Sequence, residues 1–168
     1  MPLNLATRCG DDTVGKLVLA ARRRYAEANR LLPNEPLGAV YLLGYTIEMR
    51  LKVAYYRVIG FAPNTLITDR DRRQAQAQIR TRFPGSSMPA GHNLIGWAWL
   101  LEHTRASLRG AIALPPLVAT QMNAHVGNAA LCWREVLRYR ANKPYNEELA
   151  AVQRAARWFK RNASKLWS

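Results

Sequence analysis

Acidic residues are scarce in this chain: eleven Asp and Glu stand against twenty-five Lys and Arg, giving a formal charge of +14 over 168 residues. Such an excess works against tight self-association through the basic faces and favours phosphate-bearing or otherwise acidic partners. Cysteine is nearly absent. Cys9 and Cys132 form no CxxC pair and have none of the spacing of a zinc site, so a reduced, intracellular protein is the simpler reading. The apolar stretches are broken by Glu48, Arg50 and Lys52, or by Gly and Pro, and no run of about 20 apolar residues is left to cross a bilayer. The opening residues MPLNLATRCGDD lack the basic start and apolar middle of a signal peptide. A cytoplasmic protein with no membrane partner is the expectation.

The common catalytic signatures are missing as well. His92, His103 and His125 show neither HxxxH nor HExxH spacing, so no metal site is expected. GxSxG does not occur, and neither cysteine has a histidine close in sequence, which leaves a nucleophilic triad without support. Neither GxxxxGK followed by Ser or Thr nor GxGxxG is found, which excludes the usual phosphate-loop and dinucleotide folds; no cofactor is expected.

What is present is helical periodicity, with no hairpin signal, strand alternation or internal repeat. Asp11, Asp12 and Thr13 offer caps for a helix carrying Val14, Leu17, Val18, Ala21, Tyr25 and Ala28 on one side. Leu32, Pro33 and Asn34 break it. A second helix starts around Pro36 and runs to about Gly60, apolar on nearly all sides from Leu37 to Tyr45, as a central helix would be. The segment 62–91 reads as a short exposed helix followed by a mobile loop. A third long helix begins near His92. Pro115 and Pro116 open a short helix to about Ala124, which Gly127 separates from a segment running from Ala129 to about Tyr139. A last helix starts at Asn146, whose side chain can cap it, with Glu147 and Glu148 at its positive end. The fold class expected is all-α: a single-domain helical bundle over 1–168, its ordered core at about 12–166 and a mobile loop within about 62–91.

Three groups of residues stand out chemically. Glu48 and Lys52 lie four apart in an otherwise apolar helix, either as part of a polar cleft in which the carboxylate handles protons or as a boundary ion pair whose lysine stem covers apolar surface. His92, between Gly91 and Asn93, stands where an imidazole meets a phosphate or a reacting hydroxyl, or simply caps and packs. On the final helix Arg154, Arg157, Arg161 and Lys165 make a basic stripe, with Lys160 beside it, opposite a core stripe of Leu149, Val152, Ala156, Phe159, Ala163 and Leu166. Trp158 and Trp167 interleave with these cations, placed to stack on unpaired bases or to pack on neighbouring helices.

Three segments together resemble a HEPN-like domain, the helical family named for higher eukaryotes and prokaryotes nucleotide-binding proteins. AVYLLGYTIEMRLKVAYYRVIG is similar to the family's second helix, with Glu48, Leu51, Lys52 and Gly60 at the matching positions. GHNLIGWAWLLE resembles the His-x-Leu start of the next long helix, at His92 and Leu94, and LCWREVLRYR resembles the Trp- and Arg-rich helix before the last one. The resemblance spans roughly Asp12 to Leu166. It implies a homodimer and a place in a toxin–antitoxin, defence or nucleotidyltransferase-associated system, with a nucleotidyltransferase-type antitoxin as one partner. Many family members resemble metal-independent ribonucleases built from an Arg, four to six residues and a His. Here the nearest forms run from Arg138 or Arg140 to Tyr145, and a phenol is a poor base at neutral pH.

Two functions follow. The first is a non-catalytic module that binds RNA or a partner protein, with Arg154, Arg157, Trp158, Lys160, Arg161 and Lys165 as the nucleic-acid contacts. The alternative is a metal-independent ribonuclease in which Arg138 or Arg140 stabilises phosphate charge while Tyr145, His92 or Glu48 assists proton transfer.

Overall fold

A computed structural model describes residues 12–108, 113–134, 137 and 143–168; Cys9, Arg138 and Arg140 lie outside them. Among the described residues are six α-helices: α1 (Val14–Leu31), α2 (Pro36–Val58), α3 (Asp69–Arg82), α4 (Leu94–Ser107), α5 (Pro116–Cys132) and α6 (Asn146–Asn162). Short 3-10 turns occupy Ala90–His92 and Ala163–Leu166. These residues contain no strand, only an isolated bridge between Thr13 and Leu66. The chain folds as an all-α helical bundle.

The Thr13 hydroxyl accepts from the Lys16 N–H at 3.2 Å and so starts α1. Val14, Ala21 and Ala28 recur every seventh residue along its buried edge, and the small alanines let α1 lie close along α2. Pro36 fits the first turn of α2, where its missing N–H is no loss. Thirteen of the residues of α2 are buried, which makes it the central helix that the apolar run from Leu37 to Tyr45 predicts. Gly60 ends it at φ +93, with the Gly60 N–H on Arg57 O and the Phe61 N–H on Tyr56 O. The Phe61 ring stacks on Tyr56 at 5.5 Å, the apolar contact that accompanies such a left-handed stop.

Within 62–91 the expected short helix is α3. The Thr68 hydroxyl accepts from the Asp71 N–H while the Asp71 carboxylate accepts from the Thr68 N–H, a reciprocal cap, and only Ala75 and Ile79 of this helix are buried. The 3-10 turn Ala90–His92 then leads to Asn93, whose side chain accepts from the Gly96 N–H at 2.9 Å and opens α4.

Two local expectations need correction. Gly127 does not punctuate: α5 runs through it without a break from Pro116 to Cys132. A glycine inside a helix costs about 1 kcal/mol relative to alanine, and the burial of Met122, Val126 and Ala129 around it outweighs that. Asn146 is not the cap of the last helix but its first helical residue. The cap position belongs to Tyr145, whose N–H is taken by Glu148 Oε2 at 2.7 Å.

The chain closes on itself at its far end. Arg105 of α4, almost fully buried, donates to the carbonyl oxygens of Leu166 at 2.9 Å and Ser168 at 3.0 Å. This ties the final 3-10 turn to α4.

Candidate functional site

A carboxylate stranded in an apolar helix needs donors, because burying it without them is costly. Glu48 is 3% exposed and has two. Lys52 Nζ lies 2.5 Å from Oε1 one turn further along α2, and His92 Nδ1 lies 2.9 Å from Oε2, brought in by the 3-10 turn before α4. The ion pair of Glu48 and Lys52 is the one their spacing predicts. The contact with His92 joins residues 44 apart in sequence, and no spacing rule finds it.

A charged carboxylate only accepts hydrogen bonds, so the His92 ring donates from Nδ1. In the neutral ring this leaves Nε2 as the basic nitrogen, which is how a carboxylate sets the tautomer of a general base. Aromatic side chains wall the cluster. The Tyr45 ring meets His92 edge-on at 5.7 Å, and Lys52 Nζ stands 5.3 Å from the centre of the Trp97 ring. Trp97 in turn donates from Nε1 to Gly91 O at 3.1 Å, holding the turn that carries His92.

His92 borders a surface depression of about 440 Å³ together with Gln76, Arg80, Ser86 and Asn93. Asn93 Nδ2 donates to Ser86 Oγ at 3.3 Å. The depression thus presents an oriented imidazole, a hydroxyl, an amide and an exposed guanidinium, a set that can move a proton beside an anionic group. Tyr145 is elsewhere. It is 75% exposed and borders a separate depression with Leu37, Val40, Cys132 and Lys143, which shares no lining residue with that of His92. The pairing of Tyr145 with Arg138 or Arg140 falls outside the described residues.

Neither of the other histidines, nor the described cysteine, lines the depression at His92. His103 stacks on Trp99 at 5.0 Å. His125 leans on Trp158 at 5.5 Å, and burial, helped by the Arg154 charge, lowers its pKa. Burial and the Glu148 carboxylate push the Cys132 thiol up, away from the reactive thiolate. Among the described residues no three His, Cys, Asp or Glu side chains gather as metal ligands would, and no helix is long and apolar enough to cross a membrane.

A second group lies along α6 and the turn after it. Val152, Ala155, Ala156, Phe159, Ala163 and Leu166 are buried, Leu149 is half-buried, and Arg154, Arg157, Lys160, Arg161 and Lys165 are exposed. Among the described residues none of these five cations is in a salt bridge. Lys160 Nζ stands 4.8 Å from the centre of the Tyr25 ring on α1, so it leans to the α1 side of the stripe. Trp158 is half-buried. Its Nε1 donates to Gln121 Oε1 of α5 at 3.1 Å and its ring meets Phe159 edge-on at 5.0 Å, which holds the indole in place beside Arg154 and Arg157 with part of it at the surface. Trp167 is half-buried and packs against the core.

Compared with known proteins, this chain matches no family model, no curated protein and no solved structure.

Proposed function

We propose that the chain is a non-catalytic nucleic-acid-binding module that holds single-stranded RNA along the exposed face of α6. One observation carries this: five exposed cations, none in a salt bridge among the described residues, lie along α6 (Arg154, Arg157, Lys160 and Arg161) and the 3-10 turn after it (Lys165), opposite a face buried in the core. A solvated helix face of both signs would neutralise itself through i, i+4 pairs. This one stays positive and is aimed in a fixed direction, so a strand running along it meets successive guanidinium and ammonium groups. Trp158 adds a part-exposed indole edge next to the phosphate track. A partner protein would have to be acidic to dock on the same face.

The test is fluorescence anisotropy with a short single-stranded RNA. Arg157→Ala and Arg161→Ala are each expected to weaken binding for all sequences alike. Unchanged affinity in both variants contradicts the reading. The HEPN resemblance adds a homodimer and a toxin–antitoxin or defence setting to this proposal. Light scattering at tens of micromolar checks the dimer, and a monomer there contradicts it.

A second reading has its own observation: the 2.9 Å bond that orients the His92 ring on a buried carboxylate beside Arg80 and Ser86. In this reading His92 takes the proton from a ribose 2′-hydroxyl, whose oxygen bonds to the adjacent phosphorus as the bond to the 5′-oxygen breaks; the 5′-oxygen leaves with a proton from water, a 2′,3′-cyclic phosphate remains, and an arginine stabilises the phosphate charge, without metal. Purified protein should then cleave RNA in chelator, and His92→Ala should lower the rate by about 100-fold or more. Cleavage that survives in His92→Ala comes from another site or a contaminant.

A further inference from the structure

A depression of about 340 Å³ opens where the end of α2 meets α3 and α4. It is bordered by Tyr55 of α2, Asp71 and Gln78 of α3, and His103 and Thr104 of α4, and no Lys or Arg lines it. In a chain of charge +14 this sets it apart, because an anion would find no counter-charge there. Its one carboxylate is half used. Asp71 Oδ2 accepts from the Thr68 N–H at 2.8 Å and from the Thr68 hydroxyl at 2.6 Å, which holds the carboxyl pKa down, while Oδ1 has no donor among the described residues. Tyr55 is 5% exposed, its ring packed edge-on against Tyr56 at 5.2 Å and Trp97 at 5.7 Å. Its hydroxyl makes no hydrogen bond with a described residue. Among the described residues Arg50 Nε is the sealed side-chain atom that lacks a partner, so the Tyr55 hydroxyl is not sealed, and the depression is the opening that Tyr55 borders. Burial first and the Asp71 charge second raise the Tyr55 pKa, which keeps the phenol a donor. Gln78 and Thr104, both half-buried, also make no side-chain hydrogen bond with a described residue. At the rim His103 is exposed although its ring lies flat on Trp99, at 5.0 Å and 11°, so its other face is open.

A nearly buried phenol without a partner, beside an acceptor, an amide and a hydroxyl that are equally unspent, asks for a ligand that donates and accepts on several sides. We propose that this depression holds a neutral sugar ring, its hydroxyls shared among Asp71, Tyr55, Gln78 and Thr104 and its C–H face resting on His103. Each sugar hydroxyl is donor and acceptor at once, so carboxylate, phenol and amide are all satisfied without a counter-charge. An ammonium would answer Asp71 alone, and the charge of the whole chain repels it. The weakly positive C–H groups on the flat side of a sugar suit the negative face of an aromatic ring. The sugar is either a free monosaccharide or a ribose of an RNA strand. The site is independent of the α6 face, since a free sugar fills it even if no strand binds there.

Ribose, glucose and galactose are the probes, each titrated into the full chain at constant ionic strength and followed through the protein's NMR resonances. At least one is expected to give a saturable shift. Tyr55→Phe, which removes only the hydroxyl, is expected to weaken that binding about fivefold, the loss of one hydrogen bond. Thr104→Val is expected to act in the same direction. Arg157→Ala, on α6, is expected to leave sugar binding unchanged, which separates this site from the nucleic-acid reading. The source is then read with a short single strand made once as RNA and once as DNA, since the 2′-hydroxyl is what tells them apart. If a strand ribose seats here, the RNA binds more tightly than the DNA and Tyr55→Phe narrows the difference; if a free sugar is the ligand, Tyr55→Phe leaves RNA affinity unchanged. No saturable shift with any of the three sugars overturns the proposal, as does sugar binding that both Tyr55→Phe and Thr104→Val leave unchanged. Should Tyr55→Phe fail to fold, Thr104→Val decides alone, and unchanged binding in that variant overturns it.

Discussion

His125 shows how one packed side chain ties the α5–α6 contact to pH. Its ring lies against Trp158, and its pKa is lowered by burial first and by the Arg154 charge second. The folded state therefore resists a proton that the unfolded chain accepts near pH 6.5. Below that value the unfolded state binds more protons, so stability falls as pH falls. The contribution of His125 is fully present above about pH 6.5 and is lost as the pH drops through the lower folded value. Replacing His125 by Gln should flatten the decline of the urea midpoint between about pH 7 and pH 5; a profile that superimposes on the parent's contradicts this. The sequence names His125 but gives no sign of its environment, because Trp158 and Arg154 reach it from another helix. Glu48 was easier to read. A Glu and a Lys four apart in an apolar helix predict their own ion pair, while the second donor, His92, comes from a turn 44 residues on.

At the level of elements, α2 is the most legible part of the chain and also the most sensitive. Trp133 lies against its backbone at Gly44, so closely that a Cβ there would overlap the indole ring. The same indole donates to Tyr41 O at 3.0 Å and meets Tyr45 edge-on at 5.4 Å. Gly60, where α2 stops, has a positive φ but open space where a methyl group would sit. Gly44→Ala must displace Trp133 and is expected to cost about 3 kcal/mol, against about 1–2 kcal/mol of backbone strain for Gly60→Ala. Urea unfolding followed by tryptophan emission ranks the two, and the reverse order contradicts the packing described. The long apolar run and the order of breakers made most helices readable. Gly127 and Asn146 misled because a glycine and a capping side chain signal boundaries only when local propensity decides. Here the buried side of α5 and the Glu148 carboxylate decided instead.

Across the whole molecule, charge and fold are arranged against each other. The core occupies one side of α6 and the cations the other, and Arg105 ties the turn after that helix to α4. The basic stripe was legible because helical spacing alone sorts Arg154, Arg157, Arg161 and Lys165 from Val152, Ala156 and Phe159. The depressions at His92 and at Tyr55 were not, since each depends on which helices meet. The most direct test of the α6 face is the salt dependence of RNA binding. Four stripe contacts give an expected slope of log affinity against log salt of roughly −3, because each neutralised phosphate releases condensed counterion. Arg157→Ala should flatten it by slightly under about one unit, whereas replacing Trp158 should lower affinity with little change in slope. A slope near zero in the parent, or one that Arg157→Ala and Arg161→Ala leave unchanged, would show that the stripe is an ordinary solvated face.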